Sequence, residues 1–139
     1  MATTRQASAH WEGSLLEGAG RVSLASSGVG TFDVTWASRA EAPEGRTSPE
    51  ELIAAAHAAC FSMALSSALA KGGTPASALD TSVEVDFQPG QGITGIRITV
   101  AGDVPGLDAA GFAAAAEGAK ENCPVSQALR AVPISLRIA

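Results

Sequence analysis

Basic side chains are scarce in this 139-residue chain, where nine Lys and Arg stand against fourteen Asp and Glu for a formal net charge of -5. They are also dispersed, so no basic stripe exists to neutralise a phosphate backbone, and nucleic acid is not an expected partner. The acidic balance itself reads as ordinary solubility. Met1 to Glu12 lacks the apolar core that a secretory signal needs, which leads to the expectation of a reducing cytoplasm. Only two cysteines and two histidines occur, with no CxxC or HxxxH pairing. A zinc site would have to gather His10, His57, Cys60 and Cys123 from distant segments, so no metal is expected. No GxxxxGK or strand-turn-helix GxGxxG is present either, which leaves Gly90-Gln91-Gly92 as a turn and no cofactor in view. In a reducing compartment two cysteines are more often free or reactive thiols than a permanent staple.

What is present suits one folded domain, residues 1–139, since 46% of the residues are apolar and the length allows a packed core. Strand character appears at Ala7 to Trp11, Arg21 to Ala25 and Gly30 to Trp36, where Phe32, Val34 and Trp36 alternate on one face. Glycines at 18–20 and 28–30 supply the turns of a small antiparallel meander. A loop from Ser38 to Thr47 carries Arg39 and Arg46. Ser48-Pro49-Glu50-Glu51 then has the grammar of a helix start: Ser48 as N-cap, Pro49 at the first helical position and Glu51 completing a capping box. Glu50 is left without a structural task.

Leu52 to Ala70 runs without a charge, long enough to be weighed as a membrane span. Eight alanines, three serines and His57 in that run argue instead for a buried central helix, and no membrane partner is expected. Gly72-Gly73 ends the helix. Ser82 to Gln88 and Ile93 to Ala101 alternate as a hairpin around Pro89-Gly90-Gln91-Gly92. Asp108 caps a second Ala-rich helix reaching about Glu121. A short helix from Cys123-Pro124 to Arg130 and a strand from Val132 to Ile138 finish the chain. This order gives an α+β fold of antiparallel sheet over buried helices, and the apolar area left unmatched is the reason to expect a homodimer sharing helices across its interface.

Cys60, in mid-helix, reads either as a small buried hydrophobe or as a nucleophile. Burial alone raises a thiol pKa, so a nucleophilic Cys60 needs a cation brought to it by another segment. Arg39 and Arg46 are the nearest in sequence, and guanidinium stays charged even when half-buried. Glu50 stands ten residues before Cys60, about 15 Å along one helix, and must act through another segment or another subunit. Cys123 precedes Pro124 at a helix N-cap, where amide donors and the dipole favour a thiolate. On these grounds both thiols are candidates and neither ranks first.

The stretch Thr47 to Leu65, TSPEELIAAAHAACFSMAL, closely resembles the signature of the OsmC family, within the wider OsmC/Ohr group of hydroperoxide reductases. So do Glu121 to Leu129, ENCPVSQAL, the opening Ala9-His10-Trp11-Glu12-Gly13 and the turn Val104-Pro105-Gly106-Leu107-Asp108. The resemblance implies an OsmC-like fold, with antiparallel sheets wrapped around two long central helices in an intertwined homodimer. It implies a thiol-dependent peroxidase acting on organic hydroperoxides and more weakly on hydrogen peroxide, in oxidative and osmotic stress. Within it Cys60 is peroxidatic, Cys123 is resolving, and an activating arginine and glutamate map best onto Arg39 and Glu50. The implied partners are a second copy of the chain, the hydroperoxide and an external dithiol reductant.

Two other classes remain open on the residues. His57 lies three positions before Cys60 on the same helical face, as a Cys-His hydrolase would have it, although no oxyanion-hole motif accompanies it. A noncatalytic dimeric binding module is the other.

Overall fold

Ser8–Glu12 (β1), Ala19–Ser23 (β2) and Thr31–Val34 (β3) pair as an antiparallel sheet in the order β1-β2-β3. Gly20, expected in a turn, is instead a buried residue of β2. A Cβ there would stand 2.6 Å from the Trp11 ring and 2.9 Å from the His10 carbonyl oxygen, so the bare backbone is what lets the indole lie against the sheet. Trp36 does not continue β3 as alternation predicts. Thr35 takes an extended N-cap conformation, its side chain accepting from the Ser38 amide at 3.0 Å while the Ser38 hydroxyl accepts from the Thr35 amide at 2.9 Å. This reciprocal cap turns Trp36–Ala40 into a short helix, α1, and Arg39 therefore stands on a helix rather than in a loop.

The computed structural model describes residues 1–139, which divide into two compact units, Met1–Glu50 and Glu51–Ala139, where the sequence led to one domain. The first unit is the three-stranded sheet with α1 and the segment that follows it. Its end coincides with the first turn of α2, Pro49–Lys71, which begins at the predicted proline.

In the second unit Ala78–Gln88 (β4) and Gly92–Asp103 (β5) form the predicted hairpin, with a bulge at Asp86/Phe87. Ala109–Asn122 (α3) starts at its predicted cap, Asp108 accepting from the Gly111 amide at 2.7 Å. Pro124–Ala128 (α4) is shorter than expected, ending before Arg130. Ile134–Ile138 (β6) joins the edge of β5 in parallel. The second sheet is thus mixed and not purely antiparallel, because α3 and α4 together form the crossover that a parallel pair requires.

The core of this unit is drawn from three elements. Phe61, Leu65 and Leu69 of α2 meet Ile98 and Val100 of β5, together with Phe112, Ala116 and Ala119 of α3 and Cys123. Each fully buried side chain of this size contributes about 1.5–3 kcal/mol. Gly73 stops α2 with a left-handed backbone, φ +88°. Its amide donates to Ala70, and that of Thr74 reaches back to Leu69 at 3.0 Å, the paired bonds of a Schellman motif. Within the single chain α2 is buried on one face only. By length and composition the helix could cross a bilayer, yet only 22% of its apolar window is buried in the chain. A stripe of Ala55, Ala56, Ala59, Met63, Ser66, Ser67 and Ala70 stays exposed, with Met63 at 72%. The opposite face is a core face, which a lone bilayer span does not have.

Candidate active site

The four residues singled out by the sequence form two pairs, one in each unit. In the first unit the Ser38 hydroxyl lies 3.1 Å from the Thr47 carbonyl oxygen, and the Thr47 amide donates to Asp33 at 3.1 Å. These bonds draw the end of the 38–47 segment back to α1, so the first turn of α2 starts beside Arg39. Glu50 then receives Arg39 Nε at 3.0 and 3.2 Å and Nη2 at 2.8 Å. Its carboxylate is 8% exposed, and a fork-to-carboxylate pair of this kind fixes the guanidinium plane as a lysine could not. Glu50 therefore reaches Arg39 from its own chain. Arg39 also borders a cavity of about 370 Å³ walled by Trp11, Leu15, Val34, Trp36 and Pro49.

In the second unit Cys60 packs against the core cluster that contains Cys123, near enough that Cys123 and the Val125 backbone in the first turn of α4 both act on its thiol. Neither cysteine is in a disulfide. Cys123 holds the N-cap position before Pro124, but its side chain makes no cap hydrogen bond, and the residue is fully buried. Burial pushes the Cys60 thiol above its ordinary value, the neighbouring Cys123 pushes the same way, and the Val125 backbone opposes them. Within the second unit Cys60 is accordingly held as a thiol.

His57 is not set up as a base for Cys60. Its Nε2 lies 2.6 Å from Ser126 Oγ, its Nδ1 has no partner, and the ring is fully buried. Burial holds its pKa below the usual 6.5, so the imidazole is neutral. His10 is occupied elsewhere, 3.1 Å from Glu12. Sequence reasoning missed Ser126 altogether. The signal was a matched spacing: His57 precedes Cys60 by three residues, and Ser126 follows Cys123 by three.

The depressed His57 pKa has a direct consequence for stability. The unfolded chain takes up a proton near 6.5 while the folded one stays neutral, so His57 contributes stability above that pH and loses it as pH falls towards the lower folded value. The melting temperature of wild type should fall more steeply than that of His57→Gln between pH 7.5 and 5, in roughly the range where imidazole titrates. Parallel melting curves of Tm against pH would contradict it.

With both pairs defined, comparison with known proteins decides the family. A sequence model of OsmC-like proteins matches residues 42–137. The chain belongs to the OsmC family. The match crosses the boundary between the two units and takes in Glu50, both thiols and the His57–Ser126 pair. The OsmC-like chain is 42% identical over 134 residues to the peroxiredoxin OsmC of Escherichia coli, covering 94% of this chain and 93% of that one. Among solved structures, the organic hydroperoxide resistance protein OsmC of Legionella pneumophila superposes with a TM-score of 0.74 at 26% identity, covering all of this chain and 98% of the other. OhrB of Bacillus subtilis gives 0.71 at 26% identity, with coverage of 96% and 98%. The α+β arrangement found here is the OsmC/Ohr fold.

Proposed function

We propose that the protein is a peroxiredoxin-type hydroperoxide reductase, and the observation that carries this reading is the contact between Cys60 and Cys123. Two unbridged thiols packed into one cluster are arranged for one to be oxidised and the other to resolve it. Cys60 attacks the terminal oxygen of the hydroperoxide as a thiolate. The O–O bond breaks, the alcohol leaves with a proton, and Cys60 becomes a sulfenic acid. Cys123 then displaces water to form the disulfide, which an external dithiol reduces. No step requires a cofactor.

Because Cys60 is held as a thiol within its own unit, the reading assigns its ionisation to Arg39, kept in orientation by Glu50. A guanidinium beside the sulfur stabilises both the thiolate and the charge growing on the departing oxygen. The apolar stripe along α2, including Met63, supports a homodimer in which a second copy covers that face. Residues 1–139 act together as one OsmC-like domain. The apolar walls beside Arg39 favour a substrate with a hydrocarbon tail, so organic hydroperoxides react faster than hydrogen peroxide. A reducing cytoplasm is the setting in which both thiols return to the free state.

Loss of free thiols after mixing the reduced protein with cumene hydroperoxide or hydrogen peroxide tests this. Both thiols should disappear together, faster with the organic peroxide, and light scattering should report twice the mass of one chain. Thiols that persist in the presence of either peroxide, or that vanish while ester hydrolysis proceeds, would remove the peroxidase reading.

A further inference from the structure

His57 and Ser126 make the second bridge between the helices that carry the thiols. On α2, His57 and Cys60 lie three residues apart and share a face. On the other side Cys123 is the N-cap of α4, and Ser126 is three residues further on. The hydrogen bond of 2.6 Å between His57 Nε2 and Ser126 Oγ and the contact between Cys60 and Cys123 are thus successive rungs between one helix and the start of the other. His57 is fully buried and Ser126 is 3% exposed, so neither is exchanged for water. The bond is also retained at a cost, because His57 Nδ1 is buried without a partner, and a buried apolar side chain of similar shape would avoid that penalty.

We infer that His57 and Ser126 are positioning residues for the resolving step, a latch that keeps Cys123 within reach of the oxidised Cys60. This rests on the peroxidase reading above. The step it serves is the condensation of the Cys60 sulfenic acid with the Cys123 thiol: the S–O bond breaks, the S–S bond forms, and the hydroxyl leaves as water with the thiol proton. The first oxidation of Cys60 uses no group on α4 beyond the Val125 amide and does not depend on the latch. Without it α4 is tethered through Pro124 and its packing alone, and the Cys123 sulfur spends less time facing Cys60.

Ser126→Ala, His57→Leu and His57→Gln test this in the full-length protein, since the glutamine amide can take the place of Nε2. Sulfenic acid formation, trapped with dimedone after mixing with cumene hydroperoxide, should match wild type in all three. Disulfide closure should slow by about tenfold in Ser126→Ala and His57→Leu, the worth of one lost hydrogen bond, and recover in His57→Gln. Sulfinic acid should accumulate in the slow variants. Equilibration with glutathione mixtures reads the same approach of the sulfurs without peroxide, and the effective concentration of Cys123 at Cys60 should fall by a similar factor. If wild type ignores the peroxide, the peroxidase reading fails and the glutathione equilibrium still decides the latch. Unchanged closure and equilibrium in both impaired variants would overturn it. So would a parallel loss of both oxidation steps, which is the mark of a general structural role, or a failure of glutamine to restore closure.

Discussion

Replacing Cys60 with serine should bring peroxide consumption down to that of a protein-free solution, while Cys123→Ser should still form one sulfenic acid per chain with the first equivalent but not close the disulfide. The asymmetry follows from the order of the chemistry. A serine hydroxyl is not ionised near neutral pH and does not displace an alcohol from a peroxide, so no first bond forms. In Cys123→Ser the thiol that meets the oxidant is intact. Its sulfenic acid lacks the sulfur with which it would condense, and further peroxide drives it to sulfinic acid. Mass spectrometry after stoichiometric and excess cumene hydroperoxide distinguishes the two fates. If instead Cys60→Ser still reacts with the first equivalent and Cys123→Ser consumes none, the roles are reversed, as the N-cap position of Cys123 would allow.

The second large effect is expected at Arg39. Arg39→Met alone would strip the counter-charge from a nearly buried Glu50 carboxylate, and breaking such a pair from one side destabilises by up to about 3–5 kcal/mol. The informative variant is therefore Arg39→Met with Glu50→Gln, which removes both charges together. Its peroxidase rate should fall by about 10² or more, the scale found when one donor to a developing oxyanion is removed. Alkylation of Cys60 by iodoacetamide at pH 6–7 should slow in step, because burial and the Cys123 contact then act on the thiol without the opposing guanidinium. Arg46→Met, at the neighbouring arginine, should leave both rates near wild type. Equal effects of the two substitutions would show that the positive charge acts at long range and not through the geometry fixed by Glu50.

Much of this was legible before any coordinates. The helix beginning at Pro49, the Asp108 cap and the hairpin about Gly90 follow from local rules that tertiary packing leaves intact. The strand expected through Trp36 did not form, since Thr35 and Ser38 satisfy each other's backbone and the alternation of Phe32, Val34 and Trp36 could not register that bond. β6 reads as a strand in either direction, and its parallel pairing depends on the crossover through α3 and α4, which no short window contains. At the site, the thiols and the Arg39–Glu50 pair came from spacing and family resemblance. Physical reading alone left the two cysteines unranked, because an N-cap position acts on a thiol only if its sulfur meets the free amides, and here the Cys123 side chain makes no cap bond. Ser126 escaped notice because one serine in a short helix carries no pattern until His57 is seen opposite it.

The parallel seating of β6 beside β5 also sets a timetable for synthesis. Everything that encloses Cys123, from α3 through α4 to β6, leaves the ribosome after α2 and the hairpin, and the enclosure cannot close until all of these segments have been made. Until then the nascent chain exposes Cys60 with no companion sulfur. On the peroxidase reading, a Cys60 oxidised in that interval has no partner thiol with which to condense, and overoxidation competes unopposed.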